Sequence, residues 1–193
     1  MRKQLIVFFF VFFVFFLVGS SIAQEFSADL VSTTGGVVST GKIFASKDKV
    51  RMELPQMITI SRQDKGVVWM LMPQEKTYLE QPFKADNLMA TSEKIANELE
   101  RNLVGKEEID GKMASKYKIA FLQSGKKLEI YQWIASGSNI PLKTQAVDGS
   151  WTMEYKNLIT QAPSVSMFEI PAGYTKLDYN IPAMDNILKG LGN

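Results

Sequence analysis

Catalysis or metal binding needs nucleophiles, acid–base pairs or ligands at close spacing, and this chain is poor in all of them. It has no Cys and no His among 193 residues. Disulfides, thiolate nucleophiles, His-based zinc sites and a Ser-His-acid triad are therefore excluded. Carboxylates such as Glu107 and Glu108 adjoin no catalytic partner, and no run of Asp with spaced Gly and Glu forms a calcium loop. The chain is expected not to be an enzyme and to use no cofactor or metal. What it does have is soft side chains. Met52, Met57, Met70, Met72, Met89 and Met153 fall on segments that read as strand or helix. Met is flexible and polarizable, and a cluster of it adapts to ligands of irregular shape, acyl chains included. With Trp69, Ile95, Leu99 and Trp133 these are the candidate lining of an apolar cavity. For each Met taken alone, filling a core gap is the commoner use, and the two Trp serve equally well as core anchors. Lys47 and Arg51 are the candidate polar groups for orienting a ligand, although Arg51 could simply pair with Glu53 or face solvent.

The stretch that must position these residues runs from Val67 to Glu80. Side chains alternate across a strand, so Val67, Trp69 and Leu71 point one way and Val68, Met70 and Met72 the other. Both faces are apolar. Such a strand is either covered by protein on both sides or has one face in a core and the other lining a cavity. The alternation does not say which face is which.

Around this stretch the strand signals are regular. Two strands from Phe26 to Ser46 flank a turn at Thr33-Thr34-Gly35-Gly36; Val50–Leu54, Met57–Arg62, the Val67 stretch and Lys76–Glu80 continue as a meander. Strand patterns return over Val104–Glu108, Lys112–Leu122, Lys127–Ile134, Ile140–Val147, Trp151–Leu158 and, at an edge, Val165–Ile170. Between them, Leu88, Ile95, Leu99 and Leu103 recur at helical spacing, with Met89 and Ala96 widening the stripe, and this predicts one amphipathic helix over 83–103. The tail after Pro182 also reads as helical. The expected fold is mainly β: a curved antiparallel sheet of about eleven strands forming an unclosed barrel, with the helix over its concave face.

The N-terminus has the pattern of an export signal. Arg2 and Lys3 precede an apolar run from Leu5 to Val18, and Ser21 and Ala23 stand before a cut after Ala23. Residues 1–23 are thus expected to be a signal peptide and 24–193 a single exported domain of 170 residues, periplasmic in location. Losing Arg2 and Lys3 leaves 20 basic against 20 acidic residues. A neutral chain without a Lys/Arg block has no electrostatic footprint for nucleic acid.

Phe26-Ser27-Ala28-Asp29-Leu30, Gly41-Lys42-Ile43-Phe44, Lys49-Val50-Arg51-Met52-Glu53 and Val68-Trp69-Met70-Leu71, with Pro73 and Tyr78 downstream, resemble the LolA/LolB-like periplasmic superfamily. Val104-Gly105-Lys106-Glu107, the run from Trp133 to Lys143, and Phe168-Glu169-Ile170-Pro171-Ala172-Gly173-Tyr174 extend the resemblance over nearly the whole mature chain. It implies an open antiparallel barrel with a helical lid around acyl chains. In function it implies a non-catalytic, monomeric carrier or chaperone for a lipid or lipoprotein acyl chain, working between inner- and outer-membrane partners. The alternative within the superfamily is a protein-binding or sensory module of RseB type. The Arg that ties a carrier's lid shut has its nearest basic counterparts here in Lys47 and Arg51, in a different local motif.

Overall fold

The computed structural model describes residues 25–84 and 89–177. The expected signal peptide, Leu88 and the expected tail helix lie outside these residues.

Twelve strands follow the turn signals. They are β1 (Phe26–Thr34), β2 (Val37–Ser46), β3 (Lys49–Leu54), β4 (Met57–Arg62), β5 (Val67–Met72), β6 (Thr77–Pro82), β7 (Glu98–Ile109), β8 (Lys112–Gln123), β9 (Lys126–Ala135), β10 (Pro141–Ala146), β11 (Trp151–Ile159) and β12 (Thr175–Lys176). All belong to one curved sheet in the order β12-β6-β5-β4-β3-β2-β1-β11-β10-β9-β8-β7, which does not close into a barrel. Every pairing is antiparallel except the short β12–β6 contact, which is parallel. The tight hairpins form where the sequence supplies backbone tolerant of positive φ. Gly35-Gly36 stands at +55° and +82°, and Ser124-Gly125 at +50° and +77°, as a two-residue loop compatible with strand twist requires. Pairing of β1 with β11 joins an N-terminal meander, β1 to β6, to a C-terminal one, β7 to β11.

Register divides the side chains between two faces. Laterally paired residues share a face, so Phe26, Ala45 and Val50 lie together, as do Leu30 and Tyr155. On this first face Phe26, Ala28, Leu30, Ile43, Val50 and Tyr155 form part of the largest core cluster, which also takes in Trp133, Ile140 and Leu142. Each fully buried Leu or Ile there is worth about 2 kcal/mol relative to exposure. On the second face Ile60, Trp69 and Leu71 close around Phe168. A third cluster joins Ile95 to Ile119, Phe121 and Ile130.

Two expected elements are absent. Glu98 to Leu103 do not continue a helix but open the long edge strand β7, and the residues from Met89 to Asn97 form turns. Ile95, Leu99 and Leu103 are spaced by four, which is an even number, so the same spacing satisfies a strand period as well as a helical one. The concave face has no helical cover among the described residues. Val165–Ile170 is likewise not a strand: Val165–Phe168 forms a 3₁₀ turn that drives Phe168 into the second-face core. The edge role passes to β12.

Candidate ligand-binding face

The register of β3 to β6 answers which side of the Val67 stretch is which. Trp69 pairs with Ile60 and Glu80, and Leu71 with Ile58 and Tyr78, so Val67, Trp69 and Leu71 lie on the second face beneath Phe168. Val68, Met70 and Met72 lie on the first. There, Met52, Thr59, Met70 and Leu79 stand side by side across four strands, with Leu54 opposite Met57 and Met72 opposite Thr77 in the adjacent row. Four of the candidate Met thus share one face. All four are half-buried, as are Leu54 and Leu79, which sequence reasoning had not singled out. Alternation within β3 and β6 would have found both, but only once the pairing register is known. Met52 and Leu54 pack at the margin of the main core, whereas Met57, Met70 and Met72 lie outside the three core clusters of the described residues.

The segment from Met89 to Asn97 crosses the same face farther along the sheet. It is pinned by hydrogen bonds to its own backbone carbonyls: Tyr155 Oη donates to Ala90 O at 2.5 Å, Gln132 Nε2 to Ser92 O at 3.0 Å, and Arg101 Nη2 to Glu93 O at 2.6 Å. Burial pushes the Tyr155 phenol well above its ordinary range, so it stays protonated and able to donate. Gln132 is fully buried, and without these contacts it would be a costly orphan. Beyond this crossing, Met89, Phe121, Leu128, Ile130, Val147 and Trp151 line a groove of about 470 Å³ whose walls also carry Lys127, Glu129 and Asp148. A second groove of about 620 Å³ beside Leu30, Gly41 and Leu54 has charged walls at Asp29, Lys42 and Lys156.

The remaining candidates are dispersed. Ile95 is buried in the third cluster and Met89 packs on it, while Met153 packs on the main core with its sulfur 3.8 Å from Tyr155 Oη. Leu99 is exposed on β7. Trp133 is buried, with its indole donating to Glu107 Oε2 at 2.8 Å under Lys116 and Lys143. Lys47 is an exposed turn residue at φ +49°.

Arg51 is buried on the second face, away from the Met rows. Its Nε donates to Glu53 Oε1 at 2.6 Å and its Nη1 to Met167 O at 3.0 Å. Arg62, not foreseen, does the same next door: Nη1 reaches Phe168 O at 2.9 Å and Glu169 Oε1 at 2.6 Å, while Nε and Nη2 fork onto Asp64. Two buried guanidiniums therefore hold the chain from Met167 to Glu169 down on the sheet. Hydrogen bonding from Arg62 lowers the Asp64 pKa. Burial alone would raise that of Glu169, but the bonds from Arg62 and Lys65 outweigh it and leave it lowered. Among the described residues no group of three or more Asp or Glu is arranged to hold a metal ion.

No protein-family model and no curated protein sequence matches the chain. Solved structures do. An uncharacterized conserved protein from Thermus thermophilus aligns over 81% of this chain and 91% of its own, at a TM-score of 0.57 and 11% identity. The complex of MucA with MucB from Pseudomonas aeruginosa aligns over 78% of this chain and 57% of that one, at a TM-score of 0.51 and 16% identity. The chain shares its fold with these two structures. This chain spans little more than half of the MucB chain, and at such identities the likeness is one of fold alone. A LolA superfamily protein from Nitrosomonas europaea matches more loosely, at a TM-score of 0.37 and 8% identity, too low to carry an argument.

Proposed function

We propose that the chain is an exported, non-catalytic binding protein that holds an acyl chain of a lipid or lipoprotein against the Met face. The observation that carries this reading is the alignment of half-buried Met52, Met57, Met70 and Met72 on one side of β3 to β5, with Leu54 and Leu79 beside them. Unbranched thioether chains conform to a flexible hydrocarbon at little cost. The opposite face of the same strands is already filled by Phe168 and its neighbours, so the two apolar faces have different uses. The lack of Cys and His supports a role without covalent chemistry. Location in the periplasm and exchange with membrane-bound donors and acceptors follow from the export signal and the superfamily resemblance.

The test is to recover the exported protein from its native envelope and extract it for lipid mass spectrometry. Acyl lipid should co-purify in stoichiometric amount, and a fluorescent fatty-acid probe should bind the delipidated protein. Met70→Arg places a charge in the middle of the Met row and should weaken probe binding at least tenfold. Because Met70 is only half-buried, the thermal midpoint should move little. No co-purifying lipid together with no probe uptake overturns the reading.

The RseB-type alternative, recognition of a protein partner, draws on the fold likeness to MucB, which is seen in complex with MucA. Against it, the segment after Tyr174 is tethered to the sheet, with Thr175 N and Leu177 N donating to Lys76 O and Tyr78 O. Recovery of one specific protein from envelope extract, lost on truncation after Pro182, would favour it over acyl binding.

A further inference from the structure

The Met face does not end at β6. Strand β12 lies parallel to β6, with Thr175 opposite Thr77 and Lys176 opposite Tyr78. Lys176 belongs to the second face, where its Nζ donates to Glu80 Oε1 at 2.7 Å and the Trp69 indole donates to the same carboxylate. Leu177, one residue on, therefore turns to the first face. Its N–H donates to Tyr78 O at 2.8 Å, and the residue is half-buried. Leu177 thus carries the row of Met52, Thr59, Met70 and Leu79 onto a fifth strand. That row belongs to a face without charge. By register the charged residues of β3 to β6, Lys49, Arg51, Glu53, Arg62 and Glu80, all lie on the second face, which leaves Thr59, Ser61, Thr77 and Gln81 as the polar side chains of the first. The described segment that crosses the first face, Met89 to Asn97, is bonded to Tyr155 on β11, Gln132 on β9 and Arg101 on β7 instead.

We propose that residues 178–193, which follow Leu177 in the sequence, dock on the Met face. They carry Met184, Ile187, Leu188 and Leu191 at helical spacing, with Asp185 and Lys189 off that stripe. A single apolar stripe is what an uncharged, half-buried sheet face accepts. Starting point and length both fit. From β12 across β6, β5 and β4 to β3 is four strand spacings, about 19 Å, and residues 182–193 at helical rise measure about 18 Å. The docked stripe covers Met57, Met70 and Met72, which lie outside the three core clusters of the described residues. A tethered occupant acts at an effective concentration on the order of millimolar, which disfavours a second copy of the chain or a separate protein at the same place. An acyl ligand has to displace the tail to reach the Met row. That competition rests on the binding role proposed above, whereas the docking does not.

The experiment uses the exported protein, expressed from the full-length chain and delipidated, with carbon-13 in its Met methyl groups. Because the chain has no Cys, Asp185→Cys carries a nitroxide at one site. The methyl resonances of Met57, Met70 and Met72 should be broadened by the label, while that of Met113, exposed on β8, should keep its intensity. Adding Ile187→Asp and Leu188→Asp should abolish the broadening and raise the affinity for a fluorescent fatty-acid probe about fivefold or more. Unshifted Met113 and Met153 resonances show that this variant is folded. Met-row signals that the nitroxide leaves undiminished overturn the proposal. So does broadening that arises when nitroxide-labelled protein is mixed with unlabelled carbon-13 protein, since a second copy then occupies the face. Unchanged probe affinity in the aspartate variant overturns the competition. Broadening without probe uptake by either protein supports the docking and sinks the acyl reading, so the two failures are told apart.

Discussion

Gly41 on β2 lies so close to β3 that a Cβ there would stand 1.8 Å from the carbonyl oxygen of Glu53 and 3.2 Å from a Leu54 methyl. The nearer atom is backbone and cannot swing away. Gly41→Ala should therefore cost about 1–3 kcal/mol or more, read as a lower urea midpoint with an unchanged slope, and a midpoint within error of wild type would refute the close approach. Gly41 also floors the groove beside Leu54, so the same substitution narrows that space. At this scale the sequence is legible where alternation alone decides. Met70 and Trp69 belong to opposite faces on any strand reading, and both stand out before the fold is known. What alternation cannot supply is the partner across the strand, so Leu54 and Leu79 do not. Arg51 reads as a candidate for a ligand headgroup because the carbonyl it binds, Met167 O, lies 116 residues away in sequence.

Elements held by long-range contacts are the least legible. A regular hairpin carries its own signals, and β1 to β6 form within a residue or two of where turn residues place them. The segment from Val165 to Phe168 has strand-like composition, but its shape is set by two distant arginines. This latch has a pH dependence of definite sign. Asp64 and Glu169 both have folded pKa values below their ordinary ones, so their contribution is fully present above the unfolded carboxylate range, near pH 4–5, and is lost as pH falls through the lowered values. Stability should be flat from pH 7 to about 5 and decline below it. In Arg62→Met that acid-sensitive component should shrink, since the Asp64 shift rests chiefly on the Arg62 bond. The variant also leaves Phe168 O without its donor at a buried site, which should cost about 2–4 kcal/mol at neutral pH. Equilibrium urea titrations of both proteins at pH 7, 5 and 3.5 check the sign and the size. A parallel loss of stability in wild type and variant across that range would show that the acid sensitivity arises elsewhere. The segment from Met89 to Asn97 departs from its helical reading for a different reason. Its apolar residues keep helical spacing, yet Ile95 is drawn into the third cluster, while bulges at Leu99 and Val104 turn β7 out of step with its neighbour. Bulges and exposed charges on an edge strand discourage pairing with another chain, which a helical reading cannot anticipate.

For the whole molecule the question is whether an open sheet of twelve strands behaves as one cooperative unit. Its two meanders meet along a single strand pair, β1 with β11, which by itself would let either half melt alone. The main core cluster argues against that, because it draws Phe26, Leu30, Ile43 and Val50 from one meander and Trp133, Ile140, Leu142 and Tyr155 from the other. Leu30 is fully buried at the junction, opposite both Gly41 and Tyr155. The three Trp are well placed to test the coupling: Trp133 belongs to the main cluster, Trp69 to the second-face cluster, and Trp151 packs on the third. With 5-fluorotryptophan incorporated, each should give its own fluorine resonance, and all three should lose native intensity at the same urea concentration. Leu30→Ala deletes buried methyls from the junction and should cost about 2–5 kcal/mol. If the sheet is one unit, it lowers all three midpoints together. If instead Trp69 keeps its native signal while Trp133 loses it, the N-terminal meander stands on its own under the Phe168 latch. The Met face would then be carried by a separately stable half of the molecule, and ligand binding there would protect β3 to β6 without protecting β8 to β11.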